Sequence, residues 1–435
     1  MEYRALGDIC DFYRGASVPR ARMHETGDDL YIHYGDLYRG FSYRIDVDKP
    51  QKPIPCILNR ENIKLNQRLR DQDIVYVLTS ETESDLGHSF LFNNPRNKSA
   101  VAGTETTIVR IKDRSVLLPA YLNYLMHSPS FLSTLRQYVR GMKVFRVHPD
   151  DVARIKIGLP TLDTQQKVVS ILDSIYYKQM TNTQINDYLE ELLLARFDDL
   201  FGGLSEYTGT IFDIGQVVGG ATPSKKKAEY YCNNGIGWIT PRDLANTTDK
   251  FITHGSIDIT QLGYDSCSAK LLPAGAVLFS SRAPIGYIAI ATDDLATNQG
   301  FKSVIPKEEV GTAFVYCFLK QNRDRIADAG SGTTFPEVSS KTMASIPVAL
   351  PDTVQCQEFS QWANPILNQQ RMLEDENRKL ASLRDTLLPK LMSGEIDISQ
   401  VDITQLNNHL AELPTSRIIA SVSPTASLYS FQRRL

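Results

Sequence analysis

The segment from Gly219 to Tyr231 (GGATPSKKKAEYY) places Lys225, Lys226 and Lys227 and two tyrosines just after a glycine pair. Three adjacent ammonium groups act as point charges toward phosphates, with a contribution that falls steeply with salt. Thr222, Ser224 and Tyr230 add hydroxyls to the same stretch; the alternative is a solvated charge run. Arg242 and Arg282 each fall on a turn after a strand-like stretch. A guanidinium there offers a two-pronged donor to guanine or clamps a phosphate. The competing reading is an ion pair, for Arg242 with Asp243. Asn298 and Gln299, followed by Lys302, match adenine edges or form a turn by bonding their own backbone. Nearer the N-terminus, FYRGASVPRARMH (12–24) interleaves Arg14, Arg20 and Arg22 with two aromatics, a composition suited to holding a nucleic-acid backbone. Tyr34, Arg39, Thr79, Ser80, Lys143 and Arg146 complete the candidates, with an ordinary surface role as the alternative for each.

Other chemistry is missing from the pattern. His24, His33, His88, His127, His148, His254 and His409 have no metal spacing and read as neutral surface or capping residues. There is no GxxxxGK[ST] phosphate loop, and the glycines at 219–220 and 235–237 lack dinucleotide spacing. Neither an Asp/Asn-Pro-Pro-aromatic signature nor a nuclease-type Asp…Glu-x-Lys cluster is present. The expectation is a chain with no catalysis and no metal of its own.

Composition sets the bounds. The 435 residues suffice for two domains with real cores, and 42% hydrophobic with 22% charged residues is ordinary for a soluble protein. No apolar run reaches membrane-spanning length and no signal peptide opens the chain, so a cytoplasmic location is expected. Six scattered cysteines without a CxxC pair predict reduced thiols. The net charge of −3 does not announce a polyanionic partner. Locally, residues 1–156 carry 23 Lys and Arg against 19 acids, and residues 206–350 carry 13 against 14. Any DNA-binding face must therefore come from clustering.

The elements that position these groups occur in two similar sets. DIVYVLTS (73–80) and TTIVRI (106–111) read as strands, and YLNYLMHSPSFLSTLRQYV (121–139) has helical spacing. Past Pro160, residues 163–201 contain neither Pro nor Gly, and Gly202-Gly203 ends them. Val168, Ile171, Leu172, Ile175, Ile185, Tyr188, Leu189, Leu192 and Leu193 form an apolar stripe over about 38 residues, a rod of roughly 57 Å. VLFSSR (277–282) and GYIAIAT (286–292) are strand-like, and AFVYCFLKQNRDRI (313–326) is helical. A second long stretch, from about Gln355 to Met392, carries Phe359, Trp362, Ile366, Leu367, Leu373, Leu380, Leu383 and Leu387. Pro365 predicts a kink or a later start for it. Two rods that cannot bury their stripes alone most simply pack on each other, antiparallel if the lobes are related by a twofold.

The order is a duplication. Gly141, Val147, Ile155, Leu159, Pro160, Gln166, Ile175, Leu192 and Leu200 recur as Gly332, Val338, Ile346, Leu350, Pro351, Gln357, Ile366, Leu383 and Leu391, all 191 residues later with no gap. That period is domain-sized, so the expectation is an α+β chain of two mixed lobes in pseudo-twofold arrangement, separated by two long helices in an antiparallel coiled coil. Its parts are a first lobe (1–160), a helix (161–203), a second lobe (204–351), a second helix (352–396) and a polar tail (397–435).

These elements, over roughly residues 3–396, resemble the specificity subunit of type I restriction–modification systems. The second lobe carries DIGQVVGGATPSKKKAEYY, WITPRDL, SSRAPIG, ATNQGFKSVIP and GTTFPEVSSKTMASIPVALP in the family's order. The first carries a more divergent set: DICDFYRGASVPR, YIHYGDL, DIVYVLTS, AVAGTETTIV (which lacks the Asn-Gln) and GMKVFRVHPDDVARIKIGLP. The resemblance implies two target recognition domains that each read half of a split, asymmetric site in double-stranded DNA, with the helices fixing the spacer. Two methyltransferase (modification) subunits carrying S-adenosylmethionine would dock on this frame. Restriction/translocase subunits using ATP and Mg²⁺ would join them. The alternatives are a specificity protein of a methyltransferase-only or other phage-defence complex, and a stand-alone DNA-binding scaffold or antirestriction decoy.

Overall fold

The computed structural model describes residues 2–38, 40–58, 62–82, 85–204, 206–282, 284–332 and 336–398. The candidate Arg39, His409 and the tail beyond Ile398 lie outside them. The chain divides into two compact units: residues up to Lys178 together with those from Leu380 onward, and residues Gln179–Lys379.

The first unit is built on a five-stranded sheet in the order Cys10–Arg14, Thr106–Ile111, Ile74–Val77, Ser89–Asn93, Arg44–Asp46, in which only the last pair is parallel. Alternation assigns its two faces. Ile74, Tyr76, Leu91 and Val109 join the core formed with Pro119–Met126 and the long helices, while Val75, Val77, Phe90, Phe92 and Ile108 form a second core on the other side. Beside the sheet, Asp29–Ile32 runs parallel to Ala100–Ala102, and Glu2–Ala5 pairs with Lys156–Leu159.

The second unit repeats the five-stranded sheet and both of these pairings. Its sheet runs Gly215–Gly219, Lys302–Pro306, Val277–Ser281, Ile285–Ala291, Phe251–Ile252, again with only the last pair parallel. Gly237–Ile239 runs parallel to Leu295–Thr297, and Gly209–Thr210 pairs with Pro347–Val348. The duplication legible in the sequence is thus a duplication of topology.

Two stretches expected to be single helices are each split. Pro119–Met126 and Pro129–Arg136 break at Ser128, whose hydroxyl accepts from the Phe131 amide at 3.3 Å while Pro129 occupies the first helical position. Gly311–Gln321 and Arg323–Asp328 meet at Asn322.

The two long helices span Leu162–Phe201 and Thr353–Ser393. The second begins ahead of Pro365 and passes through it. The stripe is not continuous packing: Tyr188 is 68% exposed, Leu192 47% and Leu383 45%. Inside the second unit the helices meet through aromatics at one end, where the Phe197 and Phe201 rings lie 5.8 and 5.6 Å from that of Phe359, and through polar groups between Gln179 and Asn186. Gln179 Nε2 donates to the Asn377 carbonyl at 3.0 Å, Asn182 Nδ2 to Glu376 Oε2 at 2.7 Å, and Asn186 Nδ2 to Glu374 Oε1 at 3.2 Å. Numbering rises on one helix as it falls on the other, so these segments are antiparallel. Ile396 and Ile398 pack into the first unit's core, so the chain remains structured past the end of the helix.

Candidate nucleic-acid interface

In each unit the loop after the first sheet strand is held from below by a buried aromatic. Tyr31, fully buried, donates its hydroxyl to the Ala16 carbonyl at 2.7 Å and accepts from the Val18 amide at 3.1 Å and the Thr104 amide at 2.9 Å. Trp238 takes the same place in the second unit and donates Nε1 to the Ala221 carbonyl at 3.1 Å. Ala16 and Ala221 also make matching backbone bonds, to the carbonyls of Ala102 and Thr297. The sequence reading missed both aromatics, although they open the YIHYGDL and WITPRDL segments.

Above Tyr31 lies a groove of about 700 Å³ lined by Arg14, Thr79, Glu105, Arg140, Arg146 and His148, among others. Arg146 pairs across strands with Thr79 and through a two-way backbone bridge with Arg140, closing a turn that starts at Gly141. Gly141 has φ +115°, and a Cβ there would meet the Val144 carbonyl oxygen at 2.0 Å. Arg14 Nη2 lies 2.9 Å from His148 Nε2, and Arg146 approaches Glu105 at 4.0 Å. Both arginines are exposed, and an exposed pair at that distance holds its partner weakly, so Arg146 is available to an anion. Arg140 bonds Asp151 at 3.0 Å yet remains 75% exposed.

Of the first-unit candidates, the groove brings together Arg14, Thr79 and Arg146. Ser80 is buried beneath it, opposite Phe145, and Lys143 stands exposed on the Gly141 turn. Arg20 and Tyr34 belong to a separate patch, where the Arg20 guanidinium lies over Gly35. Arg22 is exposed on the same short turn as Arg20. His33 and His148 are helix caps, accepting from Gly35 N and Asp150 N.

The matching place in the second unit has different side chains. The 191-residue step carries Arg140 to Ser331 and Arg146 to Glu337, and Ser331 and Glu337 form the same two-way bridge. Gly332, like Gly141, has positive φ (+118°). Val338 N bonds the Ser281 carbonyl as Val147 N bonds that of Leu78. Around Glu337 gather Lys302 at 3.5 Å and Arg282 at 3.7 Å. Gln299 bonds the Thr222 hydroxyl, and its carbonyl accepts from Lys302 at 3.4 Å. Thr222, Arg282, Gln299 and Lys302 are therefore one cluster. Asn298 is a turn-former, its Oδ1 accepting from Gly300 N at 2.8 Å. Its first-unit counterpart is Gly103: the two amides bond the equivalent carbonyls of Ile239 and Ile32.

The lysine run divides. Lys227 Nζ bonds the Tyr230 hydroxyl at 2.9 Å and lies 4.9 Å over its ring, which holds its pKa above the ordinary lysine value. Ser224, Lys225 and Lys226 are exposed, and the two lysines form no ion pair among the described residues. Arg242 is also exposed. Asp243 does not pair with it, because its carboxylate caps the helix Pro241–Ala245 through Thr240 N at 2.7 Å and accepts from Ser256 N at 2.8 Å. Burial pushes that carboxyl's pKa up, and these hydrogen bonds more than offset it, leaving it below the usual carboxylate range.

The model of the type I restriction modification DNA specificity domain matches residues 1–191 and again 207–361. The chain belongs to this family. Among its relatives, the HindI specificity subunit of Haemophilus influenzae is 24% identical, over 83% of this chain and 98% of its own. The MjaIX specificity subunit of Methanocaldococcus jannaschii is 41% identical over 34% of this chain, a match spanning about a third (35%) of that relative's length. The S subunit from M. genitalium shares the fold: TM-score 0.54 at 14% identity, covering 90% of this chain and 95% of that one. This specificity-domain protein has no described helix long and apolar enough to cross a membrane.

Proposed function

We propose that the chain is the non-catalytic DNA-recognition subunit of a type I restriction–modification complex, and that each unit reads one half of a bipartite, asymmetric target. One observation carries this reading: a single backbone frame, present twice, holds Arg140 and Arg146 in one copy and Ser331 and Glu337 in the other. A repeated frame suits the repeating geometry of duplex DNA, and unlike side chains suit unlike base edges. Arg14, Arg140 and Arg146 offer donors to phosphates or guanine, while the second unit offers Arg282, Lys302, Lys225 and Lys226 as cations and Gln299 as an amide.

Leu192 and Leu383 are partners in the duplication, and both are exposed. An apolar side chain left open twice at the same step supports docking of two copies of one protein, the methyltransferase subunit. S-adenosylmethionine, ATP and Mg²⁺ would then be bound by partner subunits in the cytoplasm. The test is to co-express the chain with a modification subunit and sequence methylated bases across the host genome. A split target with two different halves is expected. A palindromic target, or methylation by the purified chain alone, would overturn the proposal.

A further inference from the structure

Each unit contains a buried cluster that has no part in the groove. In the first, Asp173 on the long helix Leu162–Phe201 accepts from the Tyr124 hydroxyl at 2.7 Å and pairs with Arg44, at the start of the sheet's edge strand. The Arg44 guanidinium lies 5.5 Å over the rings of both Tyr176 and Tyr177. In the second, Glu190 on the same helix accepts from the Tyr316 hydroxyl at 2.7 Å and pairs with Lys250, which immediately precedes the equivalent edge strand. Lys250 Nζ also donates to Gln370 Oε1 at 2.5 Å, and Glu374 accepts the backbone amides of Lys250 and Phe251 at 2.9 and 3.0 Å.

The positions are not copies of one another. Lys250 occupies the place of Tyr43 rather than Arg44, since Ile290 N bonds the Lys250 carbonyl as Leu91 N bonds that of Tyr43. The same three groups (an acid of the first long helix, a tyrosine of the helix on the sheet, and a cation at the edge strand) are thus assembled twice from different residues. Arg44 and Lys250 are 7% and 8% exposed. Buried ion pairs at such sites are poor sources of net stability, because desolvation cancels much of the attraction; their directional bonds fix one geometry against others.

We infer that the Arg44–Asp173–Tyr124 and Lys250–Glu190–Tyr316 clusters are positioning devices that lock each reading lobe at one orientation on the long-helix segment of its own unit, and thereby restrict the spacer length the protein accepts. The inference rests on the DNA-reading role proposed above. The test uses the complex reconstituted with its modification subunits, and duplexes carrying both half-sites with the native spacer or a spacer one base pair longer or shorter. Replacing both charged partners (Lys250→Met with Glu190→Gln, and separately Arg44→Met with Asp173→Asn) is expected to lower the preference for the native spacer about tenfold. Base preference within each half-site should stay intact and melting temperature near the parent's. Lys250→Arg, which keeps the cation, should retain most of the preference. An unchanged spacer preference in the double variants overturns the inference, as does altered base preference within a half-site. Should a double variant fail to fold, Glu190→Asp gives the same comparison with the charge kept, and unchanged spacer discrimination there overturns the inference equally. A parent complex that ignores half-site sequence refutes the DNA-reading role itself, before any variant is compared.

Discussion

His127 illustrates how much a single side chain's surroundings decide. Its Nε2 lies 2.8 Å from the Ser89 carbonyl, which can only accept, so that nitrogen carries the proton of a neutral ring. The ring lies 4.3 Å from that of Tyr43, tilted by 39°, and burial pushes its pKa down to about 4. A histidine that resists protonation in the fold but charges freely when unfolded weakens the fold as pH drops below its unfolded value near 6.5, with the loss complete near pH 4. Denaturant unfolding at pH 7 and pH 4.5 should show a loss on the order of 2–3 kcal/mol in the parent that is absent from His127→Gln. Equal pH dependence in the two proteins would remove His127 as its source. A second residue-scale prediction concerns Arg146. Arg146→Ala should weaken binding of the complex to its target about tenfold and lower the salt slope by about 1, as expected for one lost phosphate contact. Loss of discrimination at a single base with an unchanged slope would make Arg146 a base reader instead. Arg14, Arg146 and Lys302 were legible from residue type and spacing. Arg140 and Glu337 were not singled out, because an isolated charge in a loop has no sequence signature; the 191-residue step relating them to Ser331 and Arg146 was the available signal. Arg242 and Asp243, adjacent in sequence, proved to serve different ends, since helix capping claims the aspartate first.

At the scale of elements, the turns and loops beneath the groove are more constrained than their sequences suggest. Gly141→Ala would force a side chain into left-handed backbone and against the Val144 carbonyl, so it should cost about 1–3 kcal/mol and displace the Arg140–Arg146 bridge. Thermal melting checks the first effect and DNA affinity the second. Tyr31→Phe removes a buried hydroxyl with partners at Ala16, Val18 and Thr104, leaving amides unpaired. It should cost about 1–3 kcal/mol and raise amide exchange at Val18 and Thr104; unchanged exchange would show that the loop is held by other means. The strands and both rods were legible because hydrophobic period and Pro/Gly punctuation are local signals. The anchoring role was not, because a tyrosine and a tryptophan deliver the same hydrogen bond from unlike residues. The stripe overreached for a related reason: periodicity marks which positions could face a neighbour, and Tyr188, Leu192 and Leu383 stay substantially exposed. Between Gln179 and Asn186 the helices meet through amides and carboxylates, which a reading of apolar residues passes over.

For the molecule as a whole, the two helices are the shared structural members, and the ruler idea makes a direct prediction. Deleting about seven residues, two turns, from each helix should shift the spacer in the methylated target while both half-site sequences survive. A changed half-site would show that the helices do more than set distance. The duplicated topology was readable from the 191-residue step, but the composition of the compact units was not, because contacts rather than sequence order decide it. That composition bears on how the chain is made. The first unit's apolar core includes Val168, Leu172, Leu388, Leu391, Met392 and Ile398, so it draws on residues about 200 positions apart. At ribosomal speeds of about 5–20 residues per second, the first unit waits roughly 10–40 s after Lys178 is made before residues from Leu380 onward exist to close it. For that interval the nascent chain carries an open apolar seam with its own second unit growing behind it. The last turns of the final helix complete the first lobe, so premature termination near the C-terminus strikes the fold at its N-terminal end.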